Sequence, residues 1–153
     1  MPAFGTGATD ERPLEASTAA NFAAVRRYID AWLAGDFPTM MATYADEFVL
    51  HWFGDNPFAK TWQGKAAAIP ALMAFTQRTG RRLLEIVDVT AGPARAVVVV
   101  REAITVSGVE HEIERVLVYR ARAGLLAECW VYDQDQADRR RPLVLTLRRP
   151  EPT

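Results

Sequence analysis

The sequence predicts an α+β domain, helices first and an antiparallel meander after them. Apolar residues recur at helical spacing through the first half of the chain. From Arg81 onward, four runs rich in Val, Ile, Leu and Tyr are divided only by Ala-Gly-Pro, Ser-Gly and Ala-Gly. Connections this short join only antiparallel neighbours, because a parallel crossover needs a dozen residues or more. The helices are then expected on one face of the sheet.

Taken in order, residues 1–16 carry Gly, Pro, Thr and Asp without periodicity and read as a flexible arm ahead of a single domain over 17–138. Ser17 or Thr18 can cap a first helix on which Phe22, Val25, Ile29 and Trp32 form one stripe. Gly35 is placed to end it in a left-handed cap. Asp36 can cap a second, short helix with Pro38 in its first turn and Met40, Met41 and Tyr44 on its apolar side. Glu47–Phe53 reads as a strand, Gly54–Pro57 as a loop, and Lys65–Arg78 as a third helix with Pro70 near its start and Gly80 past its end. Strands follow over Leu83–Val89, Arg95–Val106, Glu110–Arg122 and Leu125–Asp133. Val97–Val100 is apolar on both parities, the mark of a strand covered on both faces, and a partner subunit is one way to cover the second. Residues 139–153 form a basic tail with one apolar patch.

At 153 residues, with 50% hydrophobic and 24% charged residues, the chain is long enough to bury a core as one globular domain. A net charge of −1 gives no reason to expect nucleic acid or an anionic membrane as partner. The single cysteine, Cys129, excludes an internal disulfide and suits a reducing compartment. The opening MPAFGTGATDERP lacks a basic and an apolar signal region, and the longest apolar run, Ala66–Phe75, is too short to span a bilayer. The cytoplasm is the expected location. Two histidines without metal-ligand spacing give no metal site.

Three stretches carry a family resemblance. AWLAGDFPTMMATYADEFVLHW has a Gly-Asp turn between two helices and Tyr-Ala-Asp before the first strand. HWFGDNPFAKTWQGKAAAI resembles a His-x-x-Gly-x-x-Pro-Leu-Ala-Gly segment, with Lys60 where that segment has its second glycine. GLLAECWVYDQDQAD resembles a Gly-Lys-Ile-x-Glu-x-Trp strand that ends in Asp-Gln, with acids three and five residues after Trp130. In order and spacing these resemble SnoaL-like, polyketide cyclase-like proteins of the nuclear transport factor 2-like superfamily.

The resemblance implies a cone-shaped, curved antiparallel sheet packed against three N-terminal helices, a cystatin-like roll, with a pocket in the cone. It implies cofactor-independent acid–base chemistry on a hydrophobic small molecule (cyclisation, isomerisation, dehydration or epoxide hydrolysis) and a homodimer. A carboxylate in an apolar cavity gains basicity because burial disfavours its charge. Asp135 or Asp133 is the expected acid/base and His51 a donor or second base. Trp32, Tyr44, Trp52, Trp62, Phe75, Arg115 and Trp130 are the candidate substrate-binding residues.

Plainer readings stand beside each role. The two acids share a strand parity with Cys129 and Val131, whereas Trp130 lies on the other, so a regular strand cannot send Trp130 and Asp135 into one cavity. The acids can equally be a solvated strand exit, His51 a strand histidine satisfied by a neighbour, and the aromatics simply core. His111 reads as a rim residue. Arg101, Glu114 and Arg115 read as surface cross-strand pairs, with a buried arginine–carboxylate site as the alternative. A binding protein without turnover, or an interaction module using the outer sheet face, competes with the enzyme. An ionisable group inside an enclosed cavity separates the first from the others.

Overall fold

The structure is a computed structural model that describes the backbone of residues 11–133 and side chains from Ala16 onward. Three helices precede the body of the sheet: α1 (Glu11–Ala34), α2 (Phe37–Ala42) and α3 (Lys65–Thr79). The strands are β1 (Tyr44–Trp52), β2 (Thr61–Gln63), β3 (Arg82–Ala91), β4 (Ala96–Val106), β5 (Val109–Arg122) and β6 (Leu125–Asp133), arranged β2-β1-β6-β5-β4-β3. The sheet is curved, with α1 against β3 to β6 and α3 against β1, β2 and β4.

The sheet departs from the expected all-antiparallel pairing at one seam. β1 runs parallel to β6, with His51 opposite Trp130 and Trp52 opposite Val131. More than seventy residues separate the paired positions, so no tight turn dictates their direction. The result is a mixed sheet. β2, a three-residue edge strand pairing Thr61 with His51, lies between the expected loop at Gly54–Pro57 and the third helix, where no element was expected. α1 also begins at Glu11, ahead of the expected cap at Ser17 or Thr18. The basic tail, 139–153, lies outside the described residues, as do Asp135 and Asp138.

Local chemistry accounts for the boundaries. Gly35 turns the chain out of α1 at φ +65°, and Asp36 accepts a hydrogen bond from the Thr39 amide to cap α2. Gly80 closes α3 in the left-handed conformation. The β4–β5 and β5–β6 connections are two-residue turns, Ser107-Gly108 and Ala123-Gly124, with positive φ at both positions. That is the turn whose twist matches the flanking strands.

Alternation then divides the sheet into two faces. Phe48, Leu50 and Trp52 of β1, Val98 and Val100 of β4, Leu117 and Tyr119 of β5, and Cys129 and Val131 of β6 are buried beneath the helices. Each large apolar side chain so buried contributes about 1.5–3 kcal/mol. The intervening residues, including Val97, Val99, Val116, Val118 and Trp130, are only half-buried on the outer face. Val97 and Val99, expected to be covered, are half-buried among the described residues.

Candidate functional site

A cavity of about 130 Å³ remains between the inner face and the helices. Tyr28 and Trp32 of α1, Met40 and Met41 of α2 and Leu72 and Met73 of α3 form its helical wall. Leu50, Leu117, Tyr119, Cys129 and Val131 form its floor on the sheet. The lining residues Phe37, Met73 and Gln77 are exposed, which places the mouth between α2 and α3.

Two polar poles interrupt this apolar wall. At one, the Tyr28 hydroxyl hydrogen-bonds with Tyr44 and Tyr119, their rings 5.5 and 5.7 Å from that of Tyr28. Burial raises all three phenols above their ordinary range, and it pushes the adjacent Cys129 thiol up to about 12. These groups are neutral donors and acceptors at physiological pH.

The other pole is Arg115. Its guanidinium is 1% exposed and lies 5.0 Å from the Phe75 ring and 5.3 Å from the Trp52 ring. Nε donates to Asp133 Oδ1, and Nη1 donates to Glu102 Oε2 at 3.0 Å. Glu102 is fully buried on β4, and its Oε1 lies 3.9 Å from the Arg81 guanidinium, which enters from just past the α3 cap. Asp133 Oδ2 in turn accepts from the Trp52 indole at 3.2 Å. Burial alone would lower the Arg115 pKa, but the charges of Asp133 and Glu102 more than offset it and raise the value above its ordinary one. Among the described residues, two buried atoms of this network have no hydrogen-bond partner, Glu102 Oε1 and Arg115 Nη2. An unmade buried hydrogen bond costs about 1–3 kcal/mol, so this network carries a local energetic cost.

The sequence-derived candidates separate. Trp32, Tyr44 and Arg115 line the cavity. Trp52 and Phe75 pack in contact behind it, their ring centroids 4.9 Å apart, and Trp62 is a half-buried core neighbour that donates to the Phe58 carbonyl at 2.9 Å. Asp133 is 21% exposed at the end of β6 and reaches the cavity only through Arg115. His51 and Trp130 sit on the outer face, since both alternate with inward neighbours. There His51 Nε2 bonds Glu128, its Nδ1 lies 3.2 Å from Thr61 Oγ1, and its ring stacks on Trp130 at 5.3 Å. Asp135 lies outside the described residues.

Arg115 overturns the surface reading given to it. Arg101 does pair across the outer face, with Glu85 at 3.1 Å, whereas Arg115 shares the parity of Ile113, Leu117 and Tyr119 and is carried inward with them. Glu102 was missed. Its signal was present, because it continues the inward series Ala96, Val98, Val100. His111 is half-buried on β5 and does not line the cavity. Among the described residues the lining includes no carboxylate and no histidine, and no cluster of His, Cys, Asp or Glu is grouped to hold a metal ion. No helix among them is long and apolar enough to cross a membrane.

This architecture is shared with proteins of known structure. Bal32a, from a soil-derived mobile gene cassette, superposes with a TM-score of 0.70 at 18% identity, covering 79% of this chain and 94% of its own. A nuclear transport factor 2-like protein from Burkholderia xenovorans LB400 gives 0.65 at 21% identity over 85% and 94%. TerC, crystallised with polyporic acid, gives 0.65 at 15% identity over 79% and 96%. Comparison with curated proteins finds no match. The model of the SnoaL-like domain family matches residues 25–129, from the middle of α1 into the last strand, and the chain therefore belongs to the SnoaL-like family.

Proposed function

We propose that this chain is a small-molecule-binding protein whose apolar cavity holds a hydrophobic ligand, with Arg115 as the fixed polar anchor. The observation that carries this reading is the apolar cavity itself, with the buried Arg115 guanidinium in its wall. Glu102 and Asp133 hold its Nη1 and Nε, so the guanidinium is already fixed in the wall before a ligand arrives. Filling the cavity from α3 tests it. Leu72→Trp should keep the fold and reduce the binding of an apolar fluorescent dye by about tenfold or more. Equal dye binding by both proteins would overturn the reading.

A second reading, acid–base turnover of the same ligand in the manner of a cyclase, isomerase or hydratase, is favoured by the position of Asp133. It carries the end of β6 onto Arg115, and Asp135 follows two residues later. Arg115 would then steady a developing oxyanion while a carboxylate moves the proton. Asp135→Asn and Asp133→Asn should each be assayed for turnover and dye binding. Loss of turnover with binding intact in either variant favours the enzyme. Intact turnover in both rejects these carboxylates.

The half-buried valines of the outer face, with Phe53 and Tyr132 exposed and stacked beside them at 5.1 Å, suit a homodimer. Val118→Lys should then halve the sedimenting mass; a wild-type protein that is already monomeric at tens of micromolar sinks this assembly. The lone, buried Cys129 thiol fits a cytoplasmic protein.

A further inference from the structure

We infer that the cavity admits a ligand of one ring and excludes fused ring systems, and that the Trp32 indole sets this limit. The inference rests on the cavity being a ligand site at all, and adds to that reading a size class and the side chain that fixes it.

The space between the sheet and the helices measures about 130 Å³. An apolar protein cavity of roughly 150 Å³ holds a single benzene ring. Close-packed walls do not stretch to a second ring, because added carbons push side chains out of their preferred rotamers and shift the backbone. The limit applies to the ring system seated below the mouth at Phe37 and Met73, and a slender substituent that leaves through the mouth does not count against it.

Which wall holds the limit follows from how freely each side chain can yield. Met40, Met41 and Met73 are unbranched thioethers with three rotatable bonds, and they adapt to an irregular outline. Phe37 is 52% exposed at the mouth and borders solvent. Trp32 is different. It is the largest side chain of the lining, it turns on only two torsions, and it extends from α1, the helix laid across β3 to β6. Its ring lies 5.7 Å from that of Tyr28, tilted by 42°. The Tyr28 hydroxyl is hydrogen-bonded in turn with Tyr44 and Tyr119. The indole is thus held on one side by a ring that is itself fixed. Trp32 is also only half-buried, so shortening it removes less packing than shortening Phe48 or Leu50, both 1% exposed. An indole is two fused rings, and its loss frees room for one ring more.

Benzene and naphthalene test this, with binding read from the methyl signals of Met40, Met41 and Met73 by nuclear magnetic resonance. The pair differs in size at one chemistry, so the competing expectations have opposite signs. A site that stretches should bind naphthalene about tenfold more tightly, because the second ring buries more apolar area. A one-ring site should prefer benzene by about tenfold or more. Naphthalene binding the wild-type protein as tightly as benzene, or more tightly, overturns the size limit and leaves the binding reading intact. If neither hydrocarbon moves a methyl signal, the binding reading fails and the inference with it. Trp32→Ala should reverse the order, with naphthalene the tighter ligand. A preference for benzene that survives in this variant overturns the role of Trp32. Should Trp32→Ala not fold, Trp32→Phe, which takes one ring from the indole's two, decides in its place. It should bring naphthalene to within about threefold of benzene, and an undiminished preference there overturns the same role.

Discussion

The two faces of this sheet use the same pair of side-chain types to opposite ends. On the inner face, Arg115 and Glu102 are buried, Asp133 is 21% exposed, and one guanidinium nitrogen and one carboxylate oxygen are left without a partner. On the outer face, His51, Glu128 and Arg120 form a comparable chain, in which Glu128 accepts from Arg120 at 3.1 Å and from His51, and Arg95 lies 3.9 Å over Trp130. There His51 and Glu128 retain about a fifth of their exposure and Arg120 44%, and the groups pair with one another. Like chemistry carries a larger energetic stake where water is excluded and the geometry leaves one atom unmet. Where water has access it is a surface ornament worth a fraction of the energy.

The contrast should be plainest in stability. Arg115→Met strands Glu102 and Asp133 without their cation, and should cost about 3–5 kcal/mol in urea unfolding. Glu128→Gln on the outer face should cost less than about 1 kcal/mol. Equal costs would erase the distinction between the faces.

An alkaline titration sharpens it next. Cys129 and the three cavity tyrosines have folded pKa values above their unfolded ones. The stability they contribute is therefore present in full below their unfolded values of 9.0 for the thiol and 10.0 for the phenols. It is lost for Cys129 as pH rises through about 12, and for the tyrosines as pH rises through their raised folded values. Of the four tyrosines in the chain, Tyr28, Tyr44 and Tyr119 should develop phenolate absorbance only as the protein unfolds. Gradual ionisation of all four in the folded state would mean that the cavity is wet.

The smallest effect belongs to acid pH. Burial alone would raise the Glu128 carboxyl, but hydrogen bonds from His51 and Arg120 outweigh it and hold it below its ordinary 4.5. Its contribution is thus present above pH 4.5 and lost as pH falls through the folded value. Glu128→Gln should flatten that acid limb slightly, and Asp36→Asn, at an exposed helix cap, should move it less. An unchanged limb in Glu128→Gln would show that the outer chain is not formed in solution.

Much of this was written locally. The β6 run Leu125–Asp133, the two-residue turns at Ser107 and Ala123, the Asp36 cap and the Gly80 stop each depend on neighbours within a few residues, so the sequence determined them by itself. Strand parity likewise placed His51 opposite Trp52, and Asp133 with Cys129 and Val131. What parity could not say was which of the two faces would be covered, and so which side of each strand would hold the site. Nor could it reveal that β1 would lie parallel against β6, because no tight turn joins them. Tertiary packing alone brought Arg115 from β5, Glu102 from β4, Asp133 from β6 and Arg81 from beyond α3 to one end of a cavity. The physical reason is that a charge on a buried parity is tolerated only when partners distant in the chain arrive to neutralise it, and their arrival is set by the curl of the whole sheet.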